Sequence, residues 1–467
     1  MLVSKFPDTI FDNKKESLNQ NHDTIILVKN RKVVIYLTHS DYTKEILNIK
    51  DENIYFDENC LEIINIKGIK TKVFHGYLTY TPKFCPKCGC INNGYDDIIK
   101  WNWKKNCKIK TTKICGYNSL LILDKQRFYC KQCKKTFIAA TNYVDFHKQI
   151  SNDTRLNIAL ELKEKGTEKD IARRNNVSTN TVNRILNNIS KNHYVRHLGH
   201  LPSAIGIDEF KATSDTKSKM AFIIVNHDNS QIFDILNSRK INDIESYFRR
   251  YSKRERDKVK YITMDLYKPY YNLMKKLFRN AIIIPDRFHI VLQIRNALDI
   301  VRISLCTKSN PNYNKLKKYW KLILKREKEL DDKNKKYSKC FKKEVSQKEI
   351  VSYLVNTNNK LYETYNLYQG IINSLDNKDF NIFKNIIHNT NTKRFSKKVR
   401  KCINTFIRFE NYIKNSFEYH YSNGIVEGMN NLIKQVKHSA CGYRKFYHLK
   451  ARIMLIKGLY KLKNISY

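Results

Sequence analysis

Ala204-Ile205-Gly206-Ile207-Asp208 is the stretch that decides the fold, and two later stretches repeat its form: Tyr261-Ile262-Thr263-Met264-Asp265 and Ala281-Ile282-Ile283-Ile284-Pro285-Asp286. Each is a short apolar, β-rich run closed by an aspartate. Such runs read as strands buried on both faces, and aspartates at their carboxyl ends open on a shared edge. A single aspartate closes many strands simply as a turn former; the threefold repetition is what points to a site. Two further strand patterns, residues 220–226 and 231–236, lie between the first two runs. Helical patterns cover 241–252, ahead of Asp265, and 268–278, after it. Asp286-Arg287-Phe288-His289 opens another helix that continues through Val291, Ile294, Leu298 and Val301. Asp286 and His289 are three apart at its start, a spacing that sets two side chains on one face.

The order is strand, strand, strand, helix, strand, helix, strand, helix. That is the order of the ribonuclease H-like fold, in which metal-binding carboxylates stand on the first and fourth strands. Counting elements places Asp208 at the end of the first strand and Asp265 at the end of the fourth. A third carboxylate usually comes from a later helix, and the chain offers Glu427.

Composition narrows the partner. The 467 residues allow two to four domains with ample core. Lys and Arg number 88 against 44 Asp and Glu, a formal charge of +44, which calls for a polyanion. Nucleic acid is favoured over membrane, because no apolar run approaches the ~20 residues needed to span a bilayer. The N-terminus shows no long hydrophobic segment of the secretory kind. Twelve cysteines without such a segment indicate a reducing compartment, with the paired ones held by metal.

Residues 1–80 read as a small β-containing module with strand-like runs at 24–28 and 33–37. Cys85-Pro86-Lys87-Cys88-Gly89 and Arg127-Phe128-Tyr129-Cys130-Lys131-Gln132-Cys133 then form two C-x-x-C knuckles, the signature of a four-thiolate zinc ribbon over 81–140. Four such ligands close a structural site, and no neighbouring His or Glu marks an open catalytic position. The 41 residues between Cys88 and Cys130 contain Cys90, Cys107 and Cys115, which stand as alternative ligands.

Residues 150–195 carry a helix-turn-helix pattern. Leu156, Ala159, Leu160 and Leu162 line a first helix stopped by Gly166, and a second runs from Thr167 through Ile171-Ala172-Arg173-Arg174. After Asn175-Asn176-Val177, Ser178 or Thr179 caps a third helix, with Val182, Ile185 and Leu186 inward. Thr179, Asn180, Asn183 and Arg184 then face outward, polar and fit for a major groove.

From 305 to 418 the pattern is helical and highly charged, with Pro311 and Gly370 as breakers. Leu361, Tyr365, Tyr368, Ile372 and Leu375 recur at intervals of four, three, four and three, an amphipathic seam. This is an all-helical insertion interrupting the central domain of 200–304, its basic outer faces a track for DNA. In the last stretch, 419–467, Ile425, Met429, Leu432 and Val436 share one side of a helix, leaving Glu427, Asn431 and Lys434 on the other. A carboxylate beside polar and basic groups suits a metal ligand bordering a phosphate path.

Taken together, these residues resemble the DDE transposases of bacterial insertion sequences, specifically the ISL-three family, with more distant Mutator-like relatives. The resemblance spans about residues 45–460. It rests on Cys85-Pro86-Lys87-Cys88-Gly89, on Tyr129-Cys130-Lys131-Gln132-Cys133-Lys134-Lys135-Thr136-Phe137, on Gly206-Ile207-Asp208-Glu209-Phe210, on Asp286-Arg287-Phe288-His289, and on Asn423-Gly424-Ile425-Val426-Glu427-Gly428-Met429-Asn430. It implies cut-and-join chemistry on the ends of a mobile element, with a catalytic triad at Asp208, Asp265 and Glu427 holding magnesium or manganese. Asp286 and His289 fall in a motif close to catalysis, so Asp286 stays a rival to Asp265 for the second ligand. Zinc in the ribbon is structural. The implied partners are double-stranded DNA, both terminal inverted repeats and target, and further copies of the chain in the active complex. The implied location is the bacterial cytoplasm, on the nucleoid. Asn431 and Lys434 join Thr179, Asn180, Asn183 and Arg184 as DNA-contacting candidates. A sequence-specific regulator would keep the ribbon and the helix-turn-helix without needing the carboxylates. A metal-dependent nuclease would cleave without rejoining, and a catalytically inactive remnant of an element is the remaining alternative.

Overall fold

A computed structural model describes residues 26–29, 32–35, 38–192, 199–216 and 218–459. By their contacts these fall into two compact units, one of residues 26–159 with 172–177, the other of 160–171 with 178–459.

The first unit begins with an antiparallel hairpin, β1 (Ile26–Lys29) and β2 (Lys32–Ile35). The ends of the two strand-like runs, residues 24, 25, 36 and 37, lie outside the described residues. Helix α1 (His39–Leu47) follows, started by Thr38, whose hydroxyl accepts from the backbone of Asp41. Long strands β3 (Ile54–Ile66), β4 (Ile69–Leu78), β5 (Ile98–Lys110) and β6 (Asn118–Cys130) form a sheet in the order β3-β4-β6-β5, and β7 (Lys135–Ile138) pairs with β6. Strands β4 and β6 run parallel from Thr71↔Asn118 to Leu78↔Lys125. Residue 80, the expected border between an N-terminal module and a ribbon, is therefore spanned by a single sheet. Phe74 and Leu78 from before that border share a core with Ile109, Leu121 and Leu123 from after it.

Three helices follow: α2 (Asn152–Glu161), α3 (Glu168–Arg174) and α4 (Thr179–Asn192). In α2 the buried residues are Thr154, Ile158 and Ala159, whereas Leu160 is 47 % exposed. Ser178 starts α4, its hydroxyl accepting from Thr181 N at 3.3 Å.

The second unit is built on β8 (Ala204–Lys211), β9 (Met220–Asn226), β10 (Gln231–Leu236), α5 (Ile241–Arg249), α6 (Lys253–Arg256), β11 (Tyr261–Met264), α7 (Lys268–Leu277), β12 (Ile282–Pro285) and α8 (Arg287–Leu305). The sheet order is β10-β9-β8-β11-β12. Strands β8, β9 and β10 pair antiparallel, while β11 runs parallel to both β8 and β12. Strand β8 does not end at Asp208: pairing with β9 carries it on to Lys211, opposite Met220. The helix expected over 241–252 stops at Arg249 because Ser252 caps a new one, accepting from Glu255 N at 3.2 Å.

The next region holds α9 (Tyr313–Lys318), α10 (Trp320–Ile323), β13 (Lys336–Ser338), β14 (Lys343–Val345), α11 (Gln347–Val355), α12 (Asn359–Asp376), α13 (Phe380–Asn389), α14 (Lys397–Arg408) and α15 (Glu410–Glu418). It is not all-helical: β13 and β14 make an antiparallel hairpin whose turn is closed by Lys342 at φ 55°. Nor does Gly370 break a helix. It lies inside α12, where a Cβ would come within 3.1 Å of Ile386 on α13, so the glycine admits the neighbouring helix. The expected seam of Leu361, Tyr365, Tyr368, Ile372 and Leu375 is buried. Helix α15 returns to the sheet, where Asn415 Nδ2 and Ser416 Oγ donate to the carbonyls of Ile283 and Pro285 on β12, at 2.8 and 2.6 Å. That occupies an edge otherwise open to further strands. Helices α16 (Gly424–Ser439) and α17 (Phe446–Ile456) complete the unit. Among the described residues no helix is long and apolar enough to cross a membrane.

Candidate active site

Three adjacent strands deliver carboxylates to one edge of the sheet. In the parallel pairing Thr263 stands opposite Gly206, and Met264 stands opposite Pro285. Asp265 and Asp286 follow directly after the last residues of β11 and β12, and Asp208 is two beyond Gly206 on β8. The apolar residues behind them, Ile205, Ile207, Ile262 and Ile283, are buried in the core, which leaves these carboxylates as the polar ends of an apolar layer.

Their environment is strongly coupled. Asp286 caps α8, accepting from Phe288 N at 3.4 Å, and the first turn of that helix presents His289. His289 Nδ1 lies 3.0 Å from Asp265 Oδ1 and 3.0 Å from Asp286 Oδ2. His289 Nδ1 meets hydrogen-bond geometry with Asp286 Oδ2, while the buried Oδ1 of Asp265 is held by its ion pair with the same ring nitrogen. Asp265 and then Asp286 hold the imidazole protonated, pushing it up to about 10. Ligand atoms of Asp265, Asp286 and His289 lie within 4.8 Å of one another. Burial, and then the charge of Asp265, push the Asp208 carboxyl up to about 6. Both oxygens of Asp208 nevertheless accept hydrogen bonds, Oδ1 from Glu209 N at 2.7 Å and Oδ2 from Asn430 Nδ2 at 2.6 Å.

Helix α16 reaches this edge through a buried polar chain. His227 Nε2 lies 2.8 Å from Thr263 Oγ1, which donates to Asn423 Oδ1 at 2.6 Å, at the start of α16. The approach is close because β8 carries glycine where the helix crosses it: a Cβ on Gly206 would stand 2.5 Å from Val426 Cγ2. Glu427, exposed in the first turn of α16, lines a cleft of about 580 Å³ together with Asp208, Asp286, His289 and Asn430. Lys211, Lys434 and Lys437 supply its basic wall. Asn431 is exposed on α16, 3.5 Å from Lys434 Nζ.

Of the sequence candidates, then, Asp208, Asp265, Asp286 and His289 gather at one edge. Glu427 faces the same cleft outside the tight group of Asp265, Asp286 and His289. Sequence reasoning missed Asn430. The buried stripe of α16 is Val426, Met429, Asn430, Ile433 and Val436 rather than the one centred on Ile425 and Leu432. A polar residue spaced four from Val426 and three from Ile433 was the available signal. His227 carried no signal, because its partner Thr263 is 36 residues away.

In the first unit Cys85, Cys88, Cys130 and Cys133 converge. Their sulfurs lie within 4.8 Å of one another, with Cys85–Cys133 and Cys88–Cys130 both at 3.8 Å. Four sulfurs at ~2.3 Å from one tetrahedral ion stand ~3.8 Å apart, so the set fits zinc. The long gap is filled by β5 and β6, whose pairing returns Cys130 to a place opposite Ile98. Gly89 adopts φ +77° just after the first knuckle, a conformation suited to glycine. The backbone N–H of Cys133 is the main cause that holds the Cys130 thiol down, to about 7, while Cys88 in the same cluster is pushed up to about 12. Cys90, Cys107 and Cys115 stand outside the cluster.

On α4, Asn180 and Arg184 are exposed, and Arg184 Nη2 donates to Thr181 Oγ1 at 3.2 Å. Thr179 and Asn183 are half-buried rather than fully outward, and the Oδ1 of Asn183 is enclosed. Asn187, one turn beyond Arg184, extends the exposed stripe and was not among the candidates.

A family model of ISL3 transposases, described as a transposase, matches residues 205–453, which is 249 of the 467 residues. A second, described as the helix-turn-helix domain of transposase family ISL3, matches residues 144–190. A Lactococcus lactis subsp. lactis protein described as an ATP-dependent protease is 34 % identical over 128 residues, 27 % of this chain and 41 % of that protein. The chain thus spans less than half the length of that relative.

Proposed function

Because the chain belongs to the transposase family ISL3, we propose that it binds the ends of a mobile DNA element and catalyses metal-dependent strand cleavage and strand transfer. The observation that carries this reading is the convergence of Asp208, Asp265, Asp286 and His289 at the edge of three parallel strands, with Asp208, Asp286 and His289 sharing a basic cleft with Glu427. The strand order β10-β9-β8-β11-β12 supports a ribonuclease H-like catalytic domain, interrupted after α8 by the mainly helical region and completed by α16.

Divalent metal fits the donor set. Oxygen ligands suit magnesium or manganese, burial and then the charge of Asp265 raise the Asp208 carboxyl to about 6, and the buried Asp265 Oδ1 is met only by the ion pair with His289. Asp208, Asp265 and Glu427 would hold the metal, with Asp286 and His289 at its side. Bound there, a divalent pair supplies the Lewis acidity that activates a water or 3′-hydroxyl and steadies the leaving oxygen. The chain's own residues do the rest. His289 lies between Asp265 and Asp286, 3.0 Å from an oxygen of each, and would hold the two side chains in place. Lys211, Lys434 and Lys437 place positive charge along the cleft where a phosphate backbone would run. On α4, Asn180 and Arg184 would read the element ends, with Thr179 and Asn183 at their flank. The four cysteines would hold a structural zinc ion. Joining two ends calls for more than one copy of the chain in the active complex.

Purified full-length protein, incubated in magnesium with the DNA flanking its gene and a target plasmid, tests the proposal. Joined products carrying an element end are expected. Cleavage without joining would make the protein a nuclease, and binding with neither would make it a regulator.

A further inference from the structure

Asn430 stands out among the residues that face the carboxylates. It is 7 % exposed, on a stripe of α16 otherwise occupied by Val426, Met429, Ile433 and Val436. Its Nδ2 donates to Asp208 Oδ2 at 2.6 Å. Its own Oδ1 is enclosed and accepts no hydrogen bond. The orientation follows from chemistry, because an ionised carboxylate only accepts and so draws the amide nitrogen toward it. The oxygen is thereby turned to the side where it finds no donor, an arrangement that costs stability. An apolar side chain there would avoid that cost.

We infer that Asn430 is a positioning residue for the metal site: it fixes the rotation of Asp208 and ties that carboxylate to the helix that carries Glu427. This rests on the carboxylate reading above. With Glu209 N on Oδ1 and Asn430 on Oδ2, Asp208 is clamped through both oxygens, each retaining a lone pair for an ion. The clamp is rigid at its far end as well. The chain His227–Thr263–Asn423 pins the start of α16, and Gly206 lets Val426 seat against the sheet. Glu427 precedes Asn430 by three residues on α16. Asn430 therefore sets the first carboxylate relative to the last across 222 residues of chain.

The test compares full-length wild type with Asn430→Ala, Asn430→Leu and Asp208→Asn. Manganese binding is followed by electron paramagnetic resonance, the thermal midpoint by melting, and the manganese concentration for half-maximal cleavage of element-end DNA by titration. Loss of a partner that orients a metal ligand weakens metal binding by about 10–100-fold. That weakening is expected in both Asn430 variants, with a parallel rise in the manganese requirement. Asn430→Leu is expected to hold or raise the thermal midpoint, since it removes the enclosed acceptor, and a purely structural residue would not separate the two readouts. Manganese affinity within twofold of wild type in either variant would overturn the inference. So would joint loss of stability and affinity in both, which would assign Asn430 to the core. If Asp208→Asn also keeps manganese, the carboxylate reading itself fails; if it loses manganese while the Asn430 variants do not, only this inference does.

Discussion

Gly206 on β8 and Val426 on α16 share a space that one extra carbon would close: a Cβ on the glycine would lie 2.5 Å from Val426 Cγ2. The same atom would meet His227 Nε2 at 2.8 Å and Thr263 Oγ1 at 3.2 Å, both buried and neither able to swing away freely. Gly206→Ala should therefore lift α16 from the sheet. The expected destabilisation is about 1–3 kcal/mol, the usual range for overpacking, with cleavage lost more completely than end binding. Chemical denaturation and a cleavage assay read the two. Val426→Ala in the same chain should restore part of the stability, and an unchanged denaturation midpoint in the single variant would deny the close approach its role.

The polar chain behind that contact should respond to acid. Burial holds the His227 imidazole below its ordinary range, against a small opposing pull from Asp228. A histidine depressed in the folded state contributes stability that is complete above its unfolded value, about 6.5, and is lost as the pH falls through the folded one. Melting curves between about pH 5 and 8 should show wild type losing stability toward acid more steeply than His227→Gln, whose amide cannot charge. Parallel curves for the two proteins would remove His227 from the account.

Zinc content is a separate question from catalysis. Elemental analysis of the purified protein should give one zinc per chain, lost in Cys130→Ser and retained in Cys107→Ser and Cys115→Ser. Loss of the ion should expose residues 54–138 to proteases while leaving the carboxylate-bearing sheet folded, because metal binding there is coupled to local folding. Equal zinc in all four proteins would place the metal elsewhere.

Recognition of DNA should likewise separate from chemistry. Arg184→Ala is expected to weaken specific binding to element ends by about 1–3 kcal/mol if the guanidinium reads a base, and to relax sequence preference with it. A Lys434→Ala change in the cleft should weaken binding with little dependence on sequence and lower its salt sensitivity. Gel shifts on specific and scrambled duplexes distinguish them. Equal loss on both duplexes in Arg184→Ala would make it a phosphate contact.

The parts of this design that were legible in the sequence are those set by local pattern. Strands β9 and β10 declare themselves as apolar runs between turns, the knuckles by their spacing, and the start of α4 by Ser178. Long-range pairing was not legible. The parallel match of β4 to β6 joins residues on either side of position 80, and nothing near that position announces it. The extension of β8 beyond Asp208 depends on β9, and the hairpin of β13 and β14 lies in a lysine-rich stretch whose charges mask its short alternation. In the site, aspartates ending apolar runs could be read, whereas Asn430, His227 and Asn423 take their meaning only from what the fold brings opposite them.

The most direct measurement is cleavage of end-labelled element DNA in magnesium by wild type, Asp208→Asn, Asp265→Asn, Glu427→Gln and Asp286→Asn, with binding to the same DNA followed in parallel. Loss of a metal-holding carboxylate removes several kcal/mol of transition-state stabilisation, about a thousandfold or more in rate. The first three variants should lose cleavage on that scale while binding stays near wild type, and Asp286→Asn should retain more activity than Asp265→Asn. Cleavage by Asp208→Asn at the wild-type rate would contradict the proposed chemistry outright, and a reversed order for Asp265 and Asp286 would move the second metal ligand to β12.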